Sequence, residues 1–370
     1  MDTKYLKLKD VARFSSAKTT DICLESYIST ENMIPFLGGV STASSVPDVK
    51  SASFYEEGDI LLSNIRLYFC KIWKADKKGA CSNDVLVVKP KNNIDPTFLY
   101  YCLCDKNFFN YADLTSKGTK MPRGTKSAIM KYLVPNIPLC TQNMIASILS
   151  NYDKLIQNYK KQIEDLQNLA SELHKEWFVR FRFPGYEKAS FENGIPAGLK
   201  YEKLETYADI STGKCNREDA EEGALYPLFD RSQEVKKSNS WIKDCEAIIV
   251  PGEGTSFIPR YYKGKFNLHQ RCYCVEPKQE NMGKYLFFLL MLNRKYFLSV
   301  ATGATVPSLR YNNFAKMKFL LPNKDLCFKF NSIADAIFEK KDNLQKQLDN
   351  LSNQRDLLLP RFMSGKLEVK

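Results

Sequence analysis

An apolar or aromatic residue recurs at Ile145, Leu149, Tyr152, Ile156, Tyr159, Ile163, Leu166, Ala170, Leu173 and Trp177, in steps that alternate four and three. That is the repeat of a helix laying one narrow stripe against another helix, and no proline or glycine interrupts it. Alone, such a stripe fits an amphipathic helix on a globular core. It occurs twice, however. Adding 185 to each position gives Phe330, Ala334, Ile337, Lys341, Leu344, Leu348, Leu351, Arg355, Leu358 and Phe362, apolar except at Lys341 and Arg355. The offset is half of a 370-residue chain, and a self-similarity of that size governs the whole architecture.

The segments between the stripes repeat too. Residues 1–140 read as a mixed domain of short strands, with strands expected at 4–8, 11–14, 60–63, 68–73 and 84–88 and a helix opening at Pro96. Residues 186–324 keep that order. Leu204 to Lys214 resembles Leu8 to Lys18, Ile248-Ile249-Val250 stands for Leu61-Leu62-Ser63, and Gly303-Ala304-Thr305-Val306-Pro307 stands for Gly118-Thr119-Lys120-Met121-Pro122. The offset falls from 196 near Leu204 to 187 near Ile248 and 185 at Gly303, so framework segments align while loops differ in length. Loops on a shared scaffold are where binding specificity resides. The two halves are expected to bind different things with one fold.

Chemistry is harder to find than architecture. The eleven cysteines form no Cys-x-x-Cys pair and read as buried small hydrophobes; a metal site is not expected. His174 and His269 have no evident nucleophile partner and are expected to be structural or exposed. Pro251-Gly252-Glu253-Gly254-Thr255 follows a strand but lacks the lysine of a phosphate loop, so it reads as a turn. No Asn-Pro-Pro-aromatic string of an amino-methyltransferase is present. The start, Met1-Asp2-Thr3-Lys4, has no apolar run and no segment is long enough to span a bilayer; a cytoplasmic protein without membrane contact is expected.

Charge points to a polyanion. The net charge is +12. Residues 1–140 hold 19 basic and 14 acidic side chains and residues 186–324 hold 21 and 16, an excess of 5 in each. The loop with Lys117, Thr119, Lys120, Arg123 and Lys126 packs cations among small residues, as phosphate contact requires. Its counterpart carries Thr305, Ser308, Arg310 and Asn312, a set suited to base edges. Asn64, Arg66 and Lys71 form a second candidate cluster, matched by Arg231, Ser232, Arg260 and Arg271.

Lys175-Glu176-Trp177-Phe178-Val179-Arg180-Phe181-Arg182-Phe183-Pro184-Gly185 and Arg355-Asp356-Leu357-Leu358-Leu359-Pro360-Arg361-Phe362-Met363-Ser364-Gly365-Lys366-Leu367-Glu368-Val369 resemble the conserved regions of the specificity (S) subunit of type I restriction–modification systems. Gly58-Asp59-Ile60-Leu61 and the Gly/Thr/Pro loops fit that family's target-recognition domains; Glu246-Ala247 departs from Gly58-Asp59. The resemblance implies an α+β fold with two similar target-recognition domains, 1–140 and 184–324, separated by two long antiparallel helices, 141–183 and 325–370. It implies that each domain reads one half of a bipartite site on double-stranded DNA, with no catalytic residue, metal or cofactor on this chain. Two methyltransferase subunits, using S-adenosylmethionine, would be the partners, with restriction subunits joining them. Exposed positions such as Gln157, Lys160, Lys161, Glu164, Gln345 and Lys346 are candidates for partner contact. The span Ile145 to Trp177 would make a rod of about 50 Å, enough to reach successive DNA turns roughly 34–36 Å apart. A free-standing two-lobed DNA-binding regulator or scaffold, or an enzyme with a site near Gly252 to Arg260, are the alternatives.

Overall fold

The computed structural model describes residues 4–197, 199–221 and 223–367. Met1 to Thr3 of the amino-terminal reading, and Glu368 and Val369 of the distal string, lie outside them. Two compact units emerge, Met1–Lys160 with Gln345–Lys370, and Lys161–Leu344. Each unit contains half of each of two 40-residue helices, Leu139–Phe178 and Lys324–Met363. Among the described residues no helix is long and apolar enough to cross a membrane.

In the first unit the central antiparallel sheet runs in the order Ala12–Phe14, Val85–Pro90, Ile60–Ser63, Ile72–Lys74. Ile60–Ser63 is buried at every position, as a strand covered on both faces must be. Gly58, at φ 86°, makes the tight turn before it, and the Asp59 carboxylate accepts from the Glu56 amide at 2.8 Å. Helix Pro96–Cys104 follows, capped by Asp95, which accepts from the Phe98 amide at 2.7 Å. The second unit reproduces the order with Ala208–Thr212, Cys272–Pro277, Lys243–Pro251 and Arg260–Leu268, then adds Tyr226–Phe229 and Lys236–Ser238. In both units a two-stranded pair lies apart from this sheet, Tyr5–Lys7 with Leu133–Pro135 and Lys200–Lys203 with Lys318–Leu321.

Two local readings need correction. The run 68–73 is not one strand: Leu67–Phe69 is a 3-10 turn between left-handed Arg66 and Cys70, and pairing begins only at Ile72. Its amides are satisfied locally, Phe69 to Arg66 at 3.0 Å and Cys70 to Leu67 at 2.9 Å, so apolar content alone misled. The strand at 4–8 breaks into one helical turn, Leu8–Val11, before Ala12–Phe14. In the second copy, where Glu246-Ala247 departs from Gly58-Asp59, Glu246 sits inside Lys243–Pro251, opposite Lys263, and accepts from the Tyr261 hydroxyl at 2.6 Å.

The stripe is where the long helices meet the cores. In the first unit Ile145 and Leu149 share a hydrophobic cluster with Leu359 and Phe362, while Tyr152 donates to Gln354 Oε1 at 3.3 Å, so the helices run antiparallel. In the second unit Ala170 and Trp177 pack with Phe330, Ala334 and Phe338. Ile145, Leu149, Ile156, Trp177, Leu344 and Leu348 are buried; Tyr152, Tyr159, Ile163, Leu166, Leu173, Ile337, Leu351 and Leu358 are half-buried, and no stripe position is exposed.

The two polar breaks have different explanations. Arg355 donates to Asp153 at 2.8 Å, and the Tyr101 hydroxyl completes the carboxylate's shell at 2.7 Å. In the repeat these three positions correspond to Ala170, Phe338 and Phe288, which pack together as an apolar cluster. One layer thus has a polar and an apolar solution. Lys341 instead lays its ammonium 4.7 Å from the Phe338 ring, and burial pushes its pKa down.

His174 is only 1% exposed, enclosed by Phe178, Tyr285, Phe288 and Phe330 at 5.1–5.7 Å between ring centroids. Burial pushes its imidazole from 6.5 down to about 3. The folded chain therefore keeps it neutral while the unfolded chain takes up a proton, so stability falls as pH drops from 6.5 towards 3. At about pH 5 the loss is roughly 2 kcal/mol, from ~1.4 kcal/mol per pH unit. The repeat carries Leu359 here, so His174→Leu should flatten this acid sensitivity. Melting temperatures of the two proteins should diverge as pH is lowered from about 7 to 5; parallel curves would show that the imidazole is not desolvated.

Candidate nucleic-acid interface

The two loops singled out by composition are built by one backbone pattern. In the first unit Lys117 and Arg123 exchange amide–carbonyl bonds of 2.9 Å each, closing the loop. The Gly124 amide then donates to the Asn64 carbonyl at 3.1 Å and the Arg66 amide to the Pro122 carbonyl at 3.0 Å, fixing the loop on the end of the sheet. In the second unit Thr302 and Ser308 close the loop at 2.9 and 2.8 Å. There the Leu309 amide donates to Gly252 at 2.8 Å and the Gly254 amide to Pro307 at 3.0 Å. The first loop therefore lies against the segment that carries Asn64 and Arg66, the second against 252–254, and 64–66 and 252–254 are equivalent.

Glycines permit this approach. A Cβ on Gly124 would lie 2.8 Å from Asn64 Oδ1 and 2.9 Å from Leu67 Cδ1, and one on Gly252 would lie 2.7 Å from the Arg271 carbonyl oxygen. Pro251 to Thr255 is accordingly a turn with a structural task.

Around the first loop, Lys117, Thr119, Lys120, Arg123 and Lys126 are exposed, as is Arg66. Arg123 pairs with Asp84 at 3.0 Å, and Lys126 reaches over the Phe14 ring at 6.0 Å. Asn64 is buried, its Oδ1 without a hydrogen-bond partner among the described residues. Lys71 is committed elsewhere: its ammonium donates to the Thr30 carbonyl at 2.6 Å, and burial lowers its pKa.

Around the second loop Thr305, Arg310 and Asn312 are exposed and Ser308 is half-buried. The Arg310 backbone amide donates to Asn313 Oδ1 at 2.6 Å, leaving its side chain exposed. Arg231 and Arg271 converge on Glu253, the first at 2.6 Å. Burial would raise the Glu253 carboxyl, but Arg271 and Arg231 hold it below its ordinary range. Arg260 is not free to contact a ligand. Its guanidinium donates to the Ser232 carbonyl at 2.8 Å and the Asp230 carbonyl at 2.6 Å and lies 5.0 Å over Phe229, so it braces the turn that carries Arg231 and Ser232. Counting cations also missed Asp84 and Glu253, because the signal that finds them is their pairing in space.

The cysteines are all free thiols, with Cys23 and Cys140 exposed, Cys70 and Cys245 half-buried and the rest buried. Ligand-type atoms of Cys245, Cys274 and Glu276 lie within 4.8 Å of one another, but Lys243 already pairs with the Glu276 carboxylate at 2.8 Å. His269 is buried and accepts from the Arg271 amide at 3.0 Å.

A family model described as Type I restriction modification DNA specificity domain matches residues 1–168 and again 200–350. The chain belongs to the specificity-subunit family of type I restriction–modification systems. It is 27% identical over 307 residues to the MjaIX specificity subunit of Methanocaldococcus jannaschii, covering 76% of this chain and 71% of that one. It is 26% identical over 328 residues to the MjaVIII specificity subunit of the same organism, covering 80% and 76%. In fold it is similar to the type I restriction–modification S subunit of M. genitalium, with a TM-score of 0.64 at 17% identity over 97% of this chain and 95% of that one. The specificity-subunit family accounts for two similar α+β halves and for the pair of long helices.

If Arg260 braces its turn, Arg260→Lys should lose the planar two-pronged contact and the stacking. The expected cost is about 1–2 kcal/mol, read as a lower urea midpoint of the full chain. An unchanged midpoint would show that the turn stands without it.

Proposed function

We propose that this specificity subunit is the non-catalytic DNA reader of its complex. Residues 1–140 and 184–324 each read one half of an asymmetric bipartite target, and the helices 141–183 and 325–370 set the half-site spacing and dock two methyltransferase subunits. The observation that carries the reading is the pair of loops: one backbone arrangement presents two different sets of side chains. Equal scaffolds with unequal side chains suit two unlike half-sites joined by an unread spacer.

In this reading Lys117, Lys120 and Lys126 hold phosphates, and Arg66, Arg123, Thr119, Arg231, Arg271, Thr305, Ser308, Arg310 and Asn312 reach base edges in the major groove. Lys71 and Arg260 act behind them, through the Thr30 carbonyl and the Asp230–Ser232 turn. Gln157, Lys160, Lys161, Glu164, Gln345 and Lys346 are exposed on the long helices and available to a partner. The methyl donor, S-adenosylmethionine, and the pocket for a flipped adenine belong to the methyltransferase subunits; restriction subunits join where present. The complex would work in the cytoplasm.

The test is adenine-methylation mapping in cells carrying the chain and its methyltransferase subunits. Arg123→Ala should relax one half of the motif and Arg310→Ala the other, with about tenfold or greater loss of discrimination in the affected half. Equal loss in both halves would contradict the division of labour, and tight site-specific binding without methylation would favour a free-standing regulator. Adding one heptad to both helices adds about 10 Å and should lengthen the unread spacer by roughly three base pairs; an unchanged spacer would remove the helices as the ruler.

A further inference from the structure

The carboxylates beside the two loops are out of place on a face meant for a polyanion. Asp84 pairs with Arg123 at 3.0 Å in the first unit, and Glu253 pairs with Arg231 at 2.6 Å and with Arg271 in the second. The arginines are largely exposed, with side chains at 59%, 44% and 55%, while Asp84 is at 33% and Glu253 at 15%. Solvent screening at the exposed partner weakens such a pair, which leaves each guanidinium able to turn towards a ligand. Facing DNA, an acidic side chain weakens binding unless it accepts a hydrogen bond from a base.

Their placement adds a second argument. Backbone bonds equate Asp84 with Arg271, since the amides of Asn64 and Gly252 donate to their carbonyls at 2.8 Å in each case. They also equate Ile65 with Glu253, which bridge Arg123 and Ser308 beneath the two loops. An ion pair retained from a duplicated framework would use equivalent positions. Here the acid and the base occupy different positions in the two units, yet an arginine–carboxylate pair is present beneath the loop in both. The pairs are therefore not a contact copied with the framework.

We propose that Asp84 and Glu253 are specificity-determining acceptors, each acting with its arginine to read a C·G base pair in the major groove. In that groove cytosine offers its N4 amino group as a donor, beside the O6 and N7 acceptors of guanine. A carboxylate next to a guanidinium is the complement of that edge: the acid accepts from N4 while the arginine donates to O6 and N7. Glu253 also borders a cleft of about 260 Å³ with Asp230, Arg231, Ser232 and His269, which leaves room for a base edge to approach its oxygens. The ion pair keeps the carboxylate aimed before DNA arrives, and offsets its charge towards phosphates.

The inference rests on the division of labour proposed above, and one experiment separates the two. Methylation of a randomised duplex library by the assembled complex is sequenced for the wild type, Asp84→Ala, Glu253→Ala and Glu253→Asp. Asp84→Ala, which removes the acceptor, should lower discrimination for C·G at one position of one half roughly tenfold or more, leaving the other half intact. Glu253→Ala should do so in the opposite half, and Glu253→Asp, which keeps the carboxylate, should retain the preference. Unchanged base preferences with uniformly lower methylation would overturn the inference, leaving the carboxylates a merely electrostatic role. A wild-type pattern without two separate half-sites would instead overturn the functional reading beneath it.

Discussion

Neither unit of this protein has a core that is contiguous in sequence. The first is closed by Leu359, Phe362 and Met363, which join Leu8, Phe98 and Leu149 from the far end of the chain. The second takes Ala170 and Trp177 from the end of one long helix and Phe330 and Ala334 from the start of the other. The apolar stripe is therefore both a helix–helix seam and part of two hydrophobic cores. Burying it removes several large side chains from water, at about 25 cal/mol per Å² of apolar surface, and ties the fold of each half to residues far away in the chain.

On that constraint the two halves vary their chemistry while keeping their framework. The four-strand order, the two-stranded pair, the closing bonds of each loop and the anchoring bonds beneath it recur. The side chains at equivalent places do not: Asp84 becomes Arg271 and Ile65 becomes Glu253, while the Tyr101–Asp153–Arg355 network becomes Phe288, Phe338 and Ala170. Backbone bonds are indifferent to side-chain identity, which is why a shared scaffold can carry unlike surfaces. The polar network and the apolar cluster fill the same layer because each leaves no group unsatisfied.

Much of this was legible in the residues where packing is at stake. The steps of four and three mark every stripe position, and none of them is exposed. The glycine before Ile60 and the proline opening the helix at Pro96 mark a turn and a helix start that the structure contains. Legibility failed where an environment, not a pattern, decides the outcome. The apolar run at 68–73 looks like a strand, but left-handed Arg66 and Cys70 fold its start into a turn. Arg260 looks like a ligand contact and is a brace, because carbonyls of Asp230 and Ser232 lie within its reach. Lys71 likewise serves Thr30, distant in sequence.

The sequence by itself determined that there are two halves, that a helical stripe joins each to its partner segment, and that two cation-bearing loops sit at equivalent places. Periodicity and repetition carry that information because helix geometry and a duplicated framework impose it on residue order. Only the tertiary structure decided which charges are free and which are committed. Arg123, Arg231 and Arg271 meet carboxylates, Arg260 meets carbonyls, and Lys120 stands exposed at a loop tip. The reason is physical: a charge takes its role from the few ångströms around it, and its neighbours come from segments that order along the chain does not bring together.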